Sequence, residues 1–438
     1  MKVFFLLFVF VCSFPVFAEA NVVVDTTLHP SVGTMVQSGN KNLSITLVGK
    51  KQNYSALESE TRDVDVCSPK SVNVHPNGKK YYVNSLEGGK TVVYETESNA
   101  KLKVIVHKFT EADSLLWSRP SGLFEFAHYT KNLHTFLGKP VESAFSHGGR
   151  YLWVPYYRRS FDINAQDPSA VAIIDTETDS IVRLMETGPL PKMIAVSDDG
   201  CYVAITHWGD NTVGIIDIFG DSPEEWSYVD CVTVQRKLTL NYSLTTVVNR
   251  DIGSGLCLRG TVFTPDGRYL LVGCMGSKGG IAVIDMESFS YIGHVYGMKS
   301  NLRHLVIRNG YLYLSINKDG LVQRVPLQDF YDAVDGMVEG VATLTNWETC
   351  KVGAGARTID ITPDGRYLLA VCNFASRLVM IDTDTFEEVA WINTDFYPVG
   401  LDISNDGRFV YVTSQAREGK GGNCVDIYRI DYYDTSSL

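Results

Sequence analysis

Thr264-Pro265-Asp266-Gly267-Arg268-Tyr269-Leu270-Leu271-Val272 is the stretch on which the fold turns, because the chain writes it again at Thr362-Pro363-Asp364-Gly365-Arg366-Tyr367-Leu368-Leu369-Ala370. A short polar turn ends in glycine and is followed by a strand rich in Tyr, Leu and Val. β-Branched and aromatic residues favour pleated surfaces, and Asp-Gly or Asn-Gly favours a tight hairpin. Weaker copies centre on Gly78, Gly149, Gly200, Gly310 and Gly407, which makes seven, spaced 42 to 71 residues apart. The shortest spacings match the ~40 to 45 residues of one four-stranded propeller blade, and the longer ones are a blade plus a loop insertion. The expectation is an all-β fold, a seven-bladed β-propeller.

Reading the third copy outward, Lys192 to Ser197 is innermost strand a, Asp198-Asp199-Gly200 the turn, Tyr202 to Thr206 strand b and Thr212 to Asp217 strand c. Four strands c end on Asp, at Asp175, Asp217, Asp285 and Asp382. An Asp closing a strand before a turn bonds its own backbone, so these are read as structural rather than catalytic. The seventh unit stops after its strand c and has no outer strand. An unpaired edge is an aggregation hazard, so the N-terminus is expected to supply it, with Leu43 to Gly49 the candidate. Residues 21–438 then form one closed domain, with residues 110–139 an insertion between blades 1 and 2, expected over the channel mouth.

These phrases, with Pro-x pairs before the innermost strands, resemble the YVTN β-propeller repeat family of surface-layer and nitrous-oxide-reductase-like propellers, over Cys67 to Asp431. The resemblance rests on strand and turn residues. It implies an exported binding or scaffolding module more often than an enzyme.

Met1-Lys2 followed by an apolar run to Phe17 and Ala18-Glu19-Ala20 reads as a secretory signal peptide. A membrane span needs about 20 apolar residues, and this run is shorter and broken by Ser13 and Pro15. No transmembrane anchor is therefore expected, and the destination is periplasmic, cell-surface or extracellular. The net charge of -11 argues against a nucleic-acid partner, which requires a basic surface. Of the eight cysteines beyond residue 20, Cys274 and Cys372 lie in apolar strands and are expected free. Cys231 and Cys257 flank one insertion and are the candidate disulfide. Sequons stand at Asn42, Asn53 and Asn241.

Eight residues before each turn glycine, at the start of strand a, stand Lys70, Val141, Lys192, Arg259, Arg357 and Val399, with Arg303 equivalent in the fifth copy, whose turn is one residue shorter. Five of seven blades thus place a cation at one channel mouth of an acidic protein. One reading is a ring that receives a carboxylate, phosphate or acidic glycan through charge-assisted hydrogen bonds. The other is salt bridging to neighbouring carboxylates, for which Glu142, Asp360 and Asp402 are at hand. The b-to-c loops add Tyr156, Tyr157, Arg158 and Arg159, then His207, Trp208, Asp210 and Asn211, with Asn84 and Asn373 after strand b. Exposed aromatics beside Arg and Asn suit a sugar or peptide surface, and inter-blade packing is the alternative.

No C-x-x-C-H, paired C-x-x-C, phosphate loop or G-x-S-x-G is present, so no cofactor and no metal is expected. The leading expectation is a non-catalytic exported propeller engaging an anionic glycan, peptide or protein. The alternative is a lactonase- or lyase-type propeller enzyme using Arg303, His304 or Arg357 to stabilise an oxyanion.

Overall fold

The computed structural model describes residues 29–53, 62–126, 132–239, 248–276, 278–416 and 422–433. The segment read as a signal peptide and the sequon at Asn241 lie outside the described residues. Seven sheets follow one another along the chain and close into a ring, a seven-bladed β-propeller. The innermost strands a are Pro69–Val74, Ala144–Ser146, Pro191–Val196, Leu258–Phe263, Leu302–Arg308, Ala356–Ile361 and Pro398–Ile403. Each pairs antiparallel with its strand b, as Thr261–Phe263 does with Leu270–Val272.

The recurring turn explains the recurring phrase. In Thr264–Arg268 the Thr264 hydroxyl donates to Asp266 at 2.7 Å, the same carboxylate accepts the Arg268 N–H at 3.1 Å, and the Gly267 N–H bonds Thr264 O at 2.9 Å. Gly267 sits at φ +71°, where a side chain is disfavoured. Ser197, Thr362 and Ser404 open three further copies of this arrangement, closed by Asp199, Asp364 and Asp406. The aspartates ending strands c behave as the turn reading requires. Asp175 accepts the Glu177 N–H, and Asp217 that of Phe219, both at 2.8 Å.

The closing strand comes from the N-terminus. Leu43–Gln52 pairs antiparallel with Cys424–Tyr432, and Met35–Gln37 adds a further strand outside it. Leu43, Ile45 and Leu47 are buried against Leu369, Val371, Leu378 and Met380 of blade 6. Burial of this stripe, about 25 cal/mol per Å² of apolar surface, makes the strand part of the core and covers an otherwise open edge.

Three features depart from the expectation or extend it. Phe136–Pro140 pairs with the far end of strand b of blade 2 (Tyr151–Arg159), so that strand runs on through Tyr156 instead of ending there. The insertion before it crosses the outer edge of blade 2, where Ser118 N–H bonds Leu184 O at 2.8 Å and Arg183 bonds Ser118. It then reaches blade 3, placing Phe124 5.2 Å from Tyr228 and 5.7 Å from His207, where residues 122–126 line a cavity with Pro189, Asp210 and Lys237. Cys231 and Cys257 do not form a disulfide. Cys231 lies in the outermost strand of blade 3 (Ser227–Thr233) and Cys257 at the inner entry to blade 4, and both are free, as are Cys274 and Cys372. No helix among the described residues is long and apolar enough to cross a membrane.

Candidate functional site: the cationic channel mouth

Lys70, Lys192, Arg259, Arg303 and Arg357 each stand at the second residue of an innermost strand. The neighbouring blade holds their backbone in place. Thr206 donates to Arg259 O at 3.3 Å, Thr413 to Lys70 O at 3.3 Å, and Ser315 to Arg357 O. Between blades 4 and 5 the approach is close enough to require glycine: a Cβ at Gly260 would lie 2.9 Å from His304 Cα and 3.0 Å from Arg303 O. The cations are thus carried on mutually braced backbone.

Their compensation is uneven. Lys70 pairs with Glu142, and Lys192 with Asp251 at 3.2 Å. The Lys192 ammonium also lies 4.1 Å from the Tyr157 ring centre and 4.9 Å from that of Trp208. Arg259, Arg303 and Arg357 make no ion pair among the described residues. The Nε atoms of Arg303 and Arg357 are buried without an acceptor.

The electrostatics follow. Burial, then repulsion from Arg259, Lys70, Arg357 and Arg303, drives the Lys192 ammonium well below the usual lysine range. Burial and the neighbouring arginines bring Arg259 down to about 10 and Arg303 well below its ordinary value. Lys70 falls to about 7, burial outweighing Glu142 with Arg357 and Arg259 opposing it. Against the burial that raises it, Lys70 and Arg259 hold the Glu142 carboxyl below its ordinary value. Burial lifts Asp251 to about 6. This is a cluster of buried side chains with surplus positive charge.

The other expected residues divide. Trp208 and Tyr157 reach the mouth through Lys192, and the Trp208 indole donates to Arg250 O at 3.1 Å. Arg158 bonds Ile163 O and stacks 5.5 Å from Tyr157. Asn373 is 1% exposed at the start of the blade-6 loop, its carboxamide nitrogen lacking an acceptor. Tyr156 is a core residue, fully buried with its hydroxyl 2.9 Å from His107 Nδ1, because the strand extends past it. His207 is also structural. Its ring accepts the Gly188 N–H at 3.1 Å and meets Thr212 at 2.8 Å, and burial lowers it to about 3. Asn84 ties blade 1 to Val141 and Ser143 of blade 2. His304 bonds Ile359 O at 3.0 Å, and burial brings it to about 4, a neutral imidazole at physiological pH.

Of the three carboxylates expected beside the cations, only Glu142 is there. Asp360 and Asp402 pair with each other farther along the channel, where Asp402 accepts the Val74 N–H at 2.6 Å. Burial raises Asp360 to about 6, and Asp402 well above the carboxylate range with Asp360 pressing against it. Asn317 was not among the expected residues. It stands one residue past strand b of blade 5 (Tyr311–Ile316), where Asn373 stands in blade 6, so aligning the repeats exposes it.

No family model matches the chain. It is 24% identical over 271 residues to hydrazine synthase subunit beta of Kuenenia stuttgartiensis, a match covering 56% of each protein, so that it spans about half the length of this curated relative. A solved structure of Kuenenia stuttgartiensis hydrazine synthase superposes with a TM-score of 0.58 at 14% identity, covering 86% of this chain and 99% of that one. At that identity the superposition speaks to the fold alone, and that fold is a propeller.

Proposed function

We propose that this protein is an exported, non-catalytic propeller of the YVTN repeat type that captures an anionic ligand, or an anionic group on a glycan, peptide or protein, at its cationic mouth. The observation that carries the proposal is the set of three arginines on successive blades, 4 to 6, none of them within ion-pair distance of a carboxylate among the described residues, the one nearby carboxylate, Glu142, being already paired with Lys70. Buried charges are ordinarily paired, since an unpaired one costs several kcal/mol, and a bound anion supplies the missing partner. The similarity to a protein named as one subunit of a synthase supports a place in a larger assembly. The lactonase or lyase alternative, which would use Arg303, His304 or Arg357 at the same face, is the second reading, with His304 Nδ1 already held by the Ile359 carbonyl.

The test is capture of small organic and inorganic anions, read by thermal shift at low and high salt. Ligand that binds only the folded state raises the unfolding temperature. Salt-sensitive stabilisation is expected. The double variant Arg303→Ala/Arg357→Ala should lose about 3 kcal/mol or more of binding, two charge-assisted hydrogen bonds, while its unfolding midpoint without ligand holds or rises. Undiminished capture by that variant overturns the proposal.

A further inference from the structure

We infer that the seam between blades 5 and 6 is the head-group subsite of this mouth, and that it takes the carboxylate of a small organic acid with an aromatic body. The inference rests on the anion-capture reading above and assigns it a place and a ligand class.

Asn317 gathers the seam. Its amide nitrogen donates to Ala356 O at 3.1 Å and to Asn373 Oδ1 at 3.2 Å, and its oxygen faces Arg303 Nη2 at 3.5 Å. With the Asn373 oxygen engaged by Asn317, its amide nitrogen is left without an acceptor, in a side chain 1% exposed. Arg357, the residue after Ala356, is 8% exposed with Nε unpartnered, and Arg303 Nε is unpartnered on the facing blade. Three orphan donors, two of them on guanidinium groups, therefore surround one asparagine. Buried donors are almost always satisfied. A neutral acceptor would answer one hydrogen bond, but two guanidinium groups with no carboxylate in ion-pair contact among the described residues call for a charged, planar, two-oxygen acceptor.

The wall beside these donors decides the rest of the ligand. Phe374 follows Asn373, its ring 6.0 Å from that of Tyr397, and Phe396, Tyr397 and Val399 form an apolar cluster with it. Tyr397 is close enough to Arg259 and Arg303 to influence both. Gly355 presses against the subsite: at φ +85°, its Cβ would stand 2.1 Å from Asn373 Oδ1 and 3.0 Å from Phe374 Cδ2. No side chain fits there, so the donors and the aromatic wall meet directly. A hydrated inorganic anion gains nothing from that wall, whereas an aryl ring buries apolar surface against Phe374, its half-buried member, and stacks edge to face.

The experiment is calorimetric titration of the purified chain with phenylacetate, acetate and inorganic phosphate at low salt. Phenylacetate should bind at least about 10-fold more tightly than either of the others, the gain expected of burying an aromatic ring. Asn373→Asp, which turns an orphan donor into a repelling acceptor at the same size, should weaken phenylacetate at least about 10-fold. Phe374→Ala, at a half-buried position, should bring the phenylacetate-to-acetate ratio within about threefold. Phosphate binding as tightly as phenylacetate would overturn the aromatic carboxylate while leaving anion capture standing. A folded Asn373→Asp variant with unchanged affinity overturns the seam. If that variant does not fold, the wild-type ratio and Phe374→Ala decide, and binding of no anion at all sinks this inference together with the reading beneath it.

Discussion

Lys50 is sealed from water and Lys192 largely so, yet their ammonium groups are pushed in opposite directions. Lys50 arrives on the N-terminal closing strand and is set among Asp395 and Asp426 of blade 7, pairing with Asp395, lying 3.5 Å from Asp426 and donating to Pro30 O at 2.9 Å. His29 Nδ1 meets the other Asp395 oxygen at 2.5 Å. Against burial, Asp426, Cys424 and Asp395 hold the Lys50 ammonium above its ordinary value. Lys192, by burial and by four neighbouring cations, is held well below it. The first is a closed account of charge that fastens the ring, and the second belongs to a mouth with cations to spare. Asp395, Cys424 and Asp426 have the donor types of a metal site, but the Lys50 ammonium already stands among their charges.

The largest test of this contrast is Lys50→Met. It leaves two carboxylates facing one another inside the closing seam, and breaking a buried pair in this way costs about 3–5 kcal/mol. Urea unfolding should show that loss. Lys192→Met, which relieves repulsion, should leave stability within about 1 kcal/mol of the parent. Equal losses for the two variants would dissolve the distinction.

Acidity gives a second, intermediate test. The Lys70 proton leaves the folded chain at about 7 but leaves the unfolded chain near 10.5. Between those values the unfolded chain binds more protons, so stability rises with pH across the window, by up to about 1.4 kcal/mol per pH unit. Lys50, raised in the folded state, has the opposite sign, and its contribution is lost as pH climbs above 10.5. Lys70→Met should remove Lys70's share of the rise between 7 and 10.5 in a series of urea midpoints, leaving the share that the lowered Lys192 contributes with the same sign. In the parent protein, anion capture should strengthen as pH falls through 7 and Lys70 gains its charge.

The same contrast shows what could be read from the residues alone. Seven turns, the strand order and the closing segment at Leu43 were legible because each repeats or completes a local pattern. The five cations were legible because the repeats can be laid over one another. Which of them kept a partner was not, because Asp251 comes from a long, non-repeating connection and Asp360 and Asp402 turn toward each other across blades. Tyr156 looked like a loop aromatic only until Phe136–Pro140 lengthened its strand. Lys50 carried no local signal, since its partners are about 350 residues away along the chain.

The smallest effect comes from the cation that stands between these extremes. Lys192 has one carboxylate partner, Asp251, whose side chain is 33% exposed, and two aromatic rings beneath it. An ion pair so open to water contributes about 0–1 kcal/mol, and the rings contribute about 0.5–1 kcal/mol. Asp251→Asn should therefore barely move the urea midpoint. It removes a negative charge from the mouth, however, and so should tighten capture of a small anion by about threefold, an effect that 0.5 M salt erases. Weaker capture would mean that Asp251 itself touches the ligand, and the surplus charge would then have to be counted without Lys192.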